Sequence, residues 1–382
     1  MKLLHTSDWH LGRLFHRIHL TDDQAYVLEQ FVELAAEVRP DAVLIAGDIY
    51  DRAVPPPEAV ELLDHTLSRL VRDLRLPVIL IAGNHDSPDR VGFGARVFAD
   101  SRLHVVGRFT PGIAPVILHD EHGPVHIYPV PYAEPAVVRE RLEDRTLETH
   151  ALALRAVLDR IRAAHPRGAR SVLVAHAYVS GGTESESERP LSIGGADRVD
   201  LDSLAGFDYV ALGHLHRPQN LSPNVSYSGS LMKYSFSEAA GTRSANLVTL
   251  SREGPPHIER VQLTPRREVR SVQGALADLL AGAAAGGNKD DYLHVRLTDR
   301  GPLLDAMGRL REVYPNVLHL DRAVFELDGA RAPRPDARRV GELETFGDFF
   351  QQITGTALTD PERDAVAQVL EDAARREREA GA

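Results

Sequence analysis

The stretch PVILIAGNHDSPDR, residues 77–90, passes from an apolar segment directly into Gly83-Asn84-His85-Asp86. Residues 77–82 carry aliphatic and β-branched side chains without polar alternation, which predicts a strand buried on both faces. One strand that ends in an amide, an imidazole and a carboxylate says little. The pattern gains meaning only if other strands end the same way.

Four others do. Lys2-Leu3-Leu4 leads to Asp8-Trp9-His10, and residues 41–47 lead to Asp48 and Asp51. Residues 171–175 lead to His176, and residues 209–213 to His214-Leu215-His216. Helical patterns lie between these runs. Residues 21–39 open with a capping box, Thr21 to Gln24, and place Val27, Phe31, Leu34 and Val38 on one stripe. Residues 57–74, which begin with proline, and residues 150–164 are the other two. Strands alternating with helices predict a layered α/β domain, whose ligands bind outside the carboxyl ends of the strands. The five endings should therefore converge in space. Taken singly, an Asp or Asn after a strand is a cap or turn residue, and the glycines before Asp48, Asn84 and His214 suit tight turns. Caps do not need imidazoles, however, and His10, His85, His176, His214 and His216 all fall at these endings.

Composition narrows the chemistry. The 382 residues include no cysteine, which excludes a disulfide scaffold, thiolate metal sites and a cysteine nucleophile. Any metal must use His, carboxylate or amide ligands. The formal charge of −11 argues against an autonomous DNA-coating protein, yet it leaves room for a nuclease whose bound cations meet the phosphates. The opening MKLLHTSDWHLG lacks a sustained apolar run, and no later segment approaches membrane-spanning length. A cytoplasmic, nucleoid-associated protein with no membrane contact is expected.

Asp8, His10, Asp48, Asn84, His176, His214 and His216 make a balanced set for two divalent ions. Four imidazoles and two carboxylates favour Mn, Fe, Co or Zn over Mg or Ca, which prefer oxygen-only shells. A carboxylate bridging both ions would hold them roughly 3.5–4 Å apart, a spacing suited to in-line displacement at phosphorus. His85, between Asn84 and Asp86, would face the substrate and protonate the leaving oxygen. Asp51 is the candidate carboxylate to raise its pKa and fix its tautomer, with Asp86 as the competitor. Arg13, Arg17, Arg52 and Arg217 are candidate phosphate ligands near the metal loops.

The ordered motifs DxH, GDxxD, GNHD, a lone His after a strand, and GHxH resemble the calcineurin-like metallophosphoesterase superfamily. More narrowly, TSDWHLGR, GDIYDRAVPP, AGNHDSPDR, and GHLHRPQ followed by YSGSLMKYSFSE resemble the SbcD family of nuclease subunits, over most of the chain. The resemblance implies a two-sheet sandwich flanked by helices. It implies Asp8, His10, Asp48 and His216 around one Mn ion, and Asp48, Asn84, His176 and His214 around a second, with Asp48 bridging. His85 becomes the catalytic histidine. Some members carry histidine where this chain has Asp51.

The rest of the chain divides as follows. Residues 1–264 form the catalytic domain, in which residues 103–132 read as a second sheet, residues 180–200 as a mobile loop, and residues 246–250 and 257–263 as closing strands. Residues 265–328 read as a small α+β unit, with pieces at 275–285, 292–297, 303–313 and 317–327. The resemblance makes this a capping domain that helps select DNA. Residues 329–342 are a linker. In residues 343–382, Phe346, Phe349, Phe350 and Ile353 share one helical face, and Pro361 opens a second helix with Val366, Val369 and Leu370 on its apolar side. Two short helices cannot bury such faces alone, so helix-in-groove docking on a partner is expected. The resemblance names the coiled-coil ATPase SbcC. The combined expectation is a Mn-dependent DNA exonuclease and endonuclease, a homodimer joined to a DNA-repair ATPase. A metallophosphatase or small-molecule phosphodiesterase on the same site is the alternative, because the motifs define the ions and not the substrate.

Overall fold

The structure is a computed structural model that describes residues 1–188, 198–282, 286–299, 301, 303–323 and 342–380. The chain divides into two compact units, Met1–Val269 and Arg270–Ala382.

In the first unit the unalternating apolar runs become strands because each is covered on both faces. Strands β1 (Lys2–Thr6), β2 (Ala42–Ala46), β3 (Val78–Ile81) and β4 (Leu103–Val106) lie side by side in parallel. A second sheet holds β5 (Val116–Asp120), β6 (Gly123–Val130), β7 (Arg170–His176), β8 (Tyr209–Gly213), β9 (Gln219–Ser222) and β10 (Val225–Tyr227), in the order β9-β10-β8-β7-β6-β5. The chain then returns to the first sheet through β11 (Arg243–Thr249) and β12 (His257–Leu263), giving the order β12-β11-β1-β2-β3-β4. Leu3, Leu44 and Ile79 of the first sheet pack with Ile127, Val172 and Tyr209 of the second in one wholly buried cluster. The opposite side of the second sheet, through Leu173, Val210 and Leu212, packs on Val157, Leu158 and Ile161 of helix His150–Ala164. This is an α/β two-sheet sandwich flanked by helices.

Two expectations for this unit need correction. Residues 103–106 belong to the first sheet: the short helices Pro88–Val91 and Ala95–Phe98 supply the crossover that a parallel neighbour of β3 requires. Only β5 and β6 of that region enter the second sheet. Helix Thr21–Val38 also lacks the capping box. Gln24 turns away from the helix start to donate from Nε2 to the carbonyls of Trp9 (3.1 Å) and His10 (2.8 Å), and its Oε1 accepts from the Gly12 amide (3.1 Å). The buried polar groups of that loop make a stronger claim on the amide than an exposed helix terminus does.

The second unit contains a three-stranded sheet in the order β13-β14-β15, from β13 (Val269–Gly274), β14 (Tyr292–Leu297) and β15 (Val317–Arg322). Helices Leu276–Leu280 and Ala306–Val313 cover one face, where Leu276, Leu293, Val295, Leu310 and Val317 form a small core. The first of these helices is shorter than the expected 275–285 segment. Helices Glu342–Thr354 and Asp360–Ala380 follow. The linker assigned to residues 329–342 lies almost wholly outside the described residues, as do residues 189–197 of the loop expected to be mobile. Among the described residues no helix is long and apolar enough to cross a membrane.

Candidate metal centre

Strands β1, β2 and β3 end together in one sheet and β7 and β8 in the other, and Gly213 pairs with His176 at the shared edge. The loops that follow are stitched to one another. The amides of Asp8 and His10 donate to the carbonyls of Gly47 and Asp48, each at 3.0 Å, and the Leu11 amide donates to Ile49 at 2.9 Å. Asp8, His10, Asp48 and His214 all adopt left-handed backbone, with φ of 53°, 46°, 51° and 112°. Such conformations cost of order 1–3 kcal/mol each and persist only where the surroundings over-determine them. Gly47, at φ 92°, provides the tight turn expected of it. Gly83 and Gly213 do something else. A Cβ at Gly83 would overlap Asp48, and one at Gly213 would overlap the Ala46 carbonyl, so these glycines permit close approach of two loops.

All seven candidate ligands meet at this edge. Asp8, His10 and His216 form one group of donors, and Asp8, Asp48 and His176 another, with the offered atoms of each group within 4.8 Å of one another. Asp48 Oδ2 stands 3.6 Å from His10 Nε2 and 3.5 Å from His176 Nε2. His10 Nε2 faces His216 Nε2 at 3.0 Å. Asn84 Oδ1 lies 2.8 Å from His176 Nε2 and 3.3 Å from His214 Nδ1. The His214 amide donates to Asp8 Oδ1 at 3.0 Å. His176 Nδ1 donates to the Ala46 carbonyl (2.9 Å), which leaves the Nε2 lone pair aimed at Asp48 and Asn84. Buried nitrogen and oxygen lone pairs crowded onto two neighbouring points suit a pair of cations.

The electrostatics agree with that fit. Burial pushes His10 down to about 3, and it also lowers His176 and His214, so these imidazoles are neutral at physiological pH. Burial lifts the Asp8 carboxyl well above the ordinary range, and the Asp48 charge adds to the effect. Burial acts upward on Asp48 too, but His176, His10 and His85 together with the His85 amide outweigh it and hold the carboxyl low.

The supporting residues differ from the expectation. His85 is half-buried, and its Nδ1 donates to the main-chain carbonyl of Asp51 (2.8 Å) rather than to a carboxylate. The Asp51 carboxylate instead accepts from Arg13 Nη1 (3.0 Å) and lies 3.5 Å from His10 Nδ1. A carbonyl fixes the tautomer as well as a carboxylate would, without another buried charge. Asp86 is not an orienting group for His85 either. It accepts from the amides of Ile49 (3.1 Å), Tyr50 (2.9 Å) and Gly83 (2.8 Å), clamping the loops that carry Asp48 and Asn84. Burial, with Asp48 adding, pushes this carboxyl up to about 7. Arg17, Arg52 and Arg217 are exposed. Arg13 is half-buried, donates to the Ser187 carbonyl at 3.2 Å and lies 4.9 Å over the Tyr234 ring.

Sequence reasoning missed a relay behind His216. Its Nδ1 donates to Ser187 Oγ (2.5 Å), and Ser187 donates onward to Glu238, which Arg243 Nη2 holds at 2.5 Å. The Glu188 carboxylate accepts from the His216 amide (2.7 Å), and Ser7 Oγ donates to Asp8 Oδ2 (2.5 Å). The one sequence signal for this relay is YSGSLMKYSFSE, whose last residue is Glu238.

A convergent set of buried N and O donors at the strand ends of an α/β sandwich defines a metal-dependent phosphoesterase. Residues 1–218 match the family model described as calcineurin-like phosphoesterase, and residues 265–354 match that of the type 5 capsule protein repressor C-terminal domain, the SbcD C-terminal model. The chain belongs to the calcineurin-like phosphoesterase family and is a metallophosphoesterase related to SbcD. The family uses a dinuclear divalent metal site, and the donor set described above fits one. Among solved structures, a dimetal phosphatase from Danio rerio is 13% identical, with 69% of this chain and 98% of that chain covered and a TM-score of 0.40. TT1561 of Thermus thermophilus is 16% identical, with coverages of 69% and 99% and a TM-score of 0.38. GAP50, the anchor in the inner membrane complex of Plasmodium, is 12% identical, with coverages of 89% and 99% and a TM-score of 0.38.

Asp86→Ala would leave three buried amides without their acceptor. It should lower stability by about 1–3 kcal/mol and weaken cation uptake, because the two ligand loops lose their shared clamp. Urea denaturation and metal titration measure the two effects; wild-type behaviour in both would contradict the clamp.

Proposed function

We propose that the chain is a Mn-dependent DNA phosphodiesterase, a double-strand exonuclease and endonuclease acting in DNA repair and recombination. The observation that carries this reading is the Asp48 carboxylate, set between donor groups from both sheets with the half-buried His85 beside it. Asp8, His10, Asp48 and His216 would hold one cation, and Asp48, Asn84, His176 and His214 the other. The mixed nitrogen and oxygen donors suit Mn. When bound, such a pair supplies Lewis acidity toward phosphoryl oxygens and lowers the pKa of water.

The chain's own residues would do the rest. With His85 Nδ1 committed to the Asp51 carbonyl, Nε2 is the atom that takes up a proton and gives it to the leaving oxygen. Asp51 positions that ring through its main chain, while its carboxylate steadies His10 and Arg13. The exposed Arg17, Arg52 and Arg217 offer guanidinium groups to backbone phosphates. The match of residues 265–354 supports a DNA substrate over a small ester, with the second unit helping to select DNA. Phe346 and Phe349, 38% and 56% exposed on helix Glu342–Thr354, support docking on an SbcC-type coiled-coil ATPase. The exposed Phe93 and Val97 support a homodimer contact.

Turnover of a linear DNA duplex should exceed that of a nitrophenyl phosphodiester in the presence of Mn, with and without the ATPase. Activity confined to the small ester would defeat the nuclease reading. His85→Ala should keep its metals and lose about 10²–10⁴-fold in rate, whereas Asp48→Ala should lose metals and rate together. Equal metal loss in the two variants would overturn the division of roles.

Cation uptake competes with protons for the Asp8 carboxyl, whose proton affinity burial and the Asp48 charge raise. Metal binding should therefore release protons and weaken as pH falls from neutrality, over a window above that of an ordinary carboxylate. Calorimetric titration in two buffers of different ionisation enthalpy checks this, and binding without proton release would contradict it.

A further inference from the structure

We propose that His294, His319 and Asp321 form a binding site for one zinc ion, made wholly by the second unit. Strands β14 and β15 are parallel neighbours, and β15 is the edge strand of the described sheet. Leu293 pairs with Val317, yet His294 pairs with His319, so Leu318 is an extra residue in β15. Without that bulge His319 would stand opposite Val295 and turn toward the core. With it, the alternation of β15 shifts by one residue, and His319 and Asp321 come out on the face that carries His294.

The geometry is that of a three-ligand site. His294 Nε2 lies 2.8 Å from Asp321 Oδ2, and His319 Nε2 lies 3.1 Å from Asp321 Oδ1. The two rings are 4.9 Å apart, and the offered atoms of all three residues fall within 4.8 Å of one another. Tetrahedral coordination with bonds of about 2.0–2.1 Å places neighbouring donors about 3.3–3.4 Å apart, so small side-chain shifts complete the site. Two imidazoles and one carboxylate select zinc over magnesium or calcium, and they leave a coordination position for water. In the bound state each neutral ring would carry its proton on Nδ1 and turn its Nε2 lone pair to the metal, which ties the edge strand to its neighbour. An exposed carboxylate shared by two imidazoles is worth little as an ion pair, whereas a bulge that gathers three good ligands has a clear use as a metal site. Arg296 stands opposite Asp321 in register and opposes a dication, so the affinity falls below that of closed four-ligand sites.

The test is zinc content of the full-length chain after equilibrium dialysis at matched free zinc, read by atomic emission. His319→Ala and the isosteric Asp321→Asn should each bind one zinc ion fewer than wild type, with circular dichroism unchanged. Zinc held elsewhere in the chain is common to all these proteins and cancels. His257→Ala, a control at an exposed histidine of the first unit, should bind as wild type does. Equal zinc in wild type and both site variants, or the same loss in the control, would overturn the proposal.

Discussion

One carboxylate sets the terms for the first unit. Asp48 Oδ2 lies within 3.6 Å of an imidazole that follows the first sheet's β1 and within 3.5 Å of another that ends the second sheet's β7. For a single anion to serve both, the two sheets must end at one edge and their loops must nearly touch. The glycines at 83 and 213 and the left-handed backbone at Asp8, His10, Asp48 and His214 are what that closeness requires. The strain is held in place by the wholly buried cluster between the sheets and by loop-to-loop hydrogen bonds.

Burying so many ionisable groups is costly unless their charges are limited. The centre limits them in two ways. Burial keeps His10, His176 and His214 neutral at physiological pH, and burial with the nearby Asp48 charge keeps the Asp8 carboxyl from ionising easily. The surrounding polar groups then decide which lone pairs face inward. Ala46 fixes the tautomer of His176, the Asp51 carbonyl engages the ring of His85, and the Ser187–Glu238 relay backs His216. Orientation of the donors is thus built into groups outside the donor set.

The donor residues were legible because each directly follows an apolar strand, so strand prediction and metal chemistry pointed to the same positions. The alternation of strands with helices likewise exposed the α/β layering. What escaped was whatever leaves no periodic trace. Gln24 looked like a capping residue and is a clasp on the His10 loop. Asp86 looked like a rival for His85 and is a backbone acceptor for three amides. The placement of β4 in the first sheet depended on a crossover made of short helices, too brief to show a stripe. The bulge at Leu318 could not be read at all, because it is a property of pairing and not of either strand alone.

The family and the paired donor groups define a reaction class, while the substrate depends on what lies around them. The net charge of −11 repels a polyanion over most of the surface. Phosphate can approach only where that field is locally reversed. The strand-end edge would become such a place on binding dications, with the exposed guanidinium groups of Arg17, Arg52 and Arg217 close by in sequence. A surface of this charge is not suited to coating a polyanion; a phosphate ester would be admitted at one point and held there mainly by cations. On the proposed reading, any wider grip on a duplex would have to come from a larger partner, because the chain's own charge opposes it.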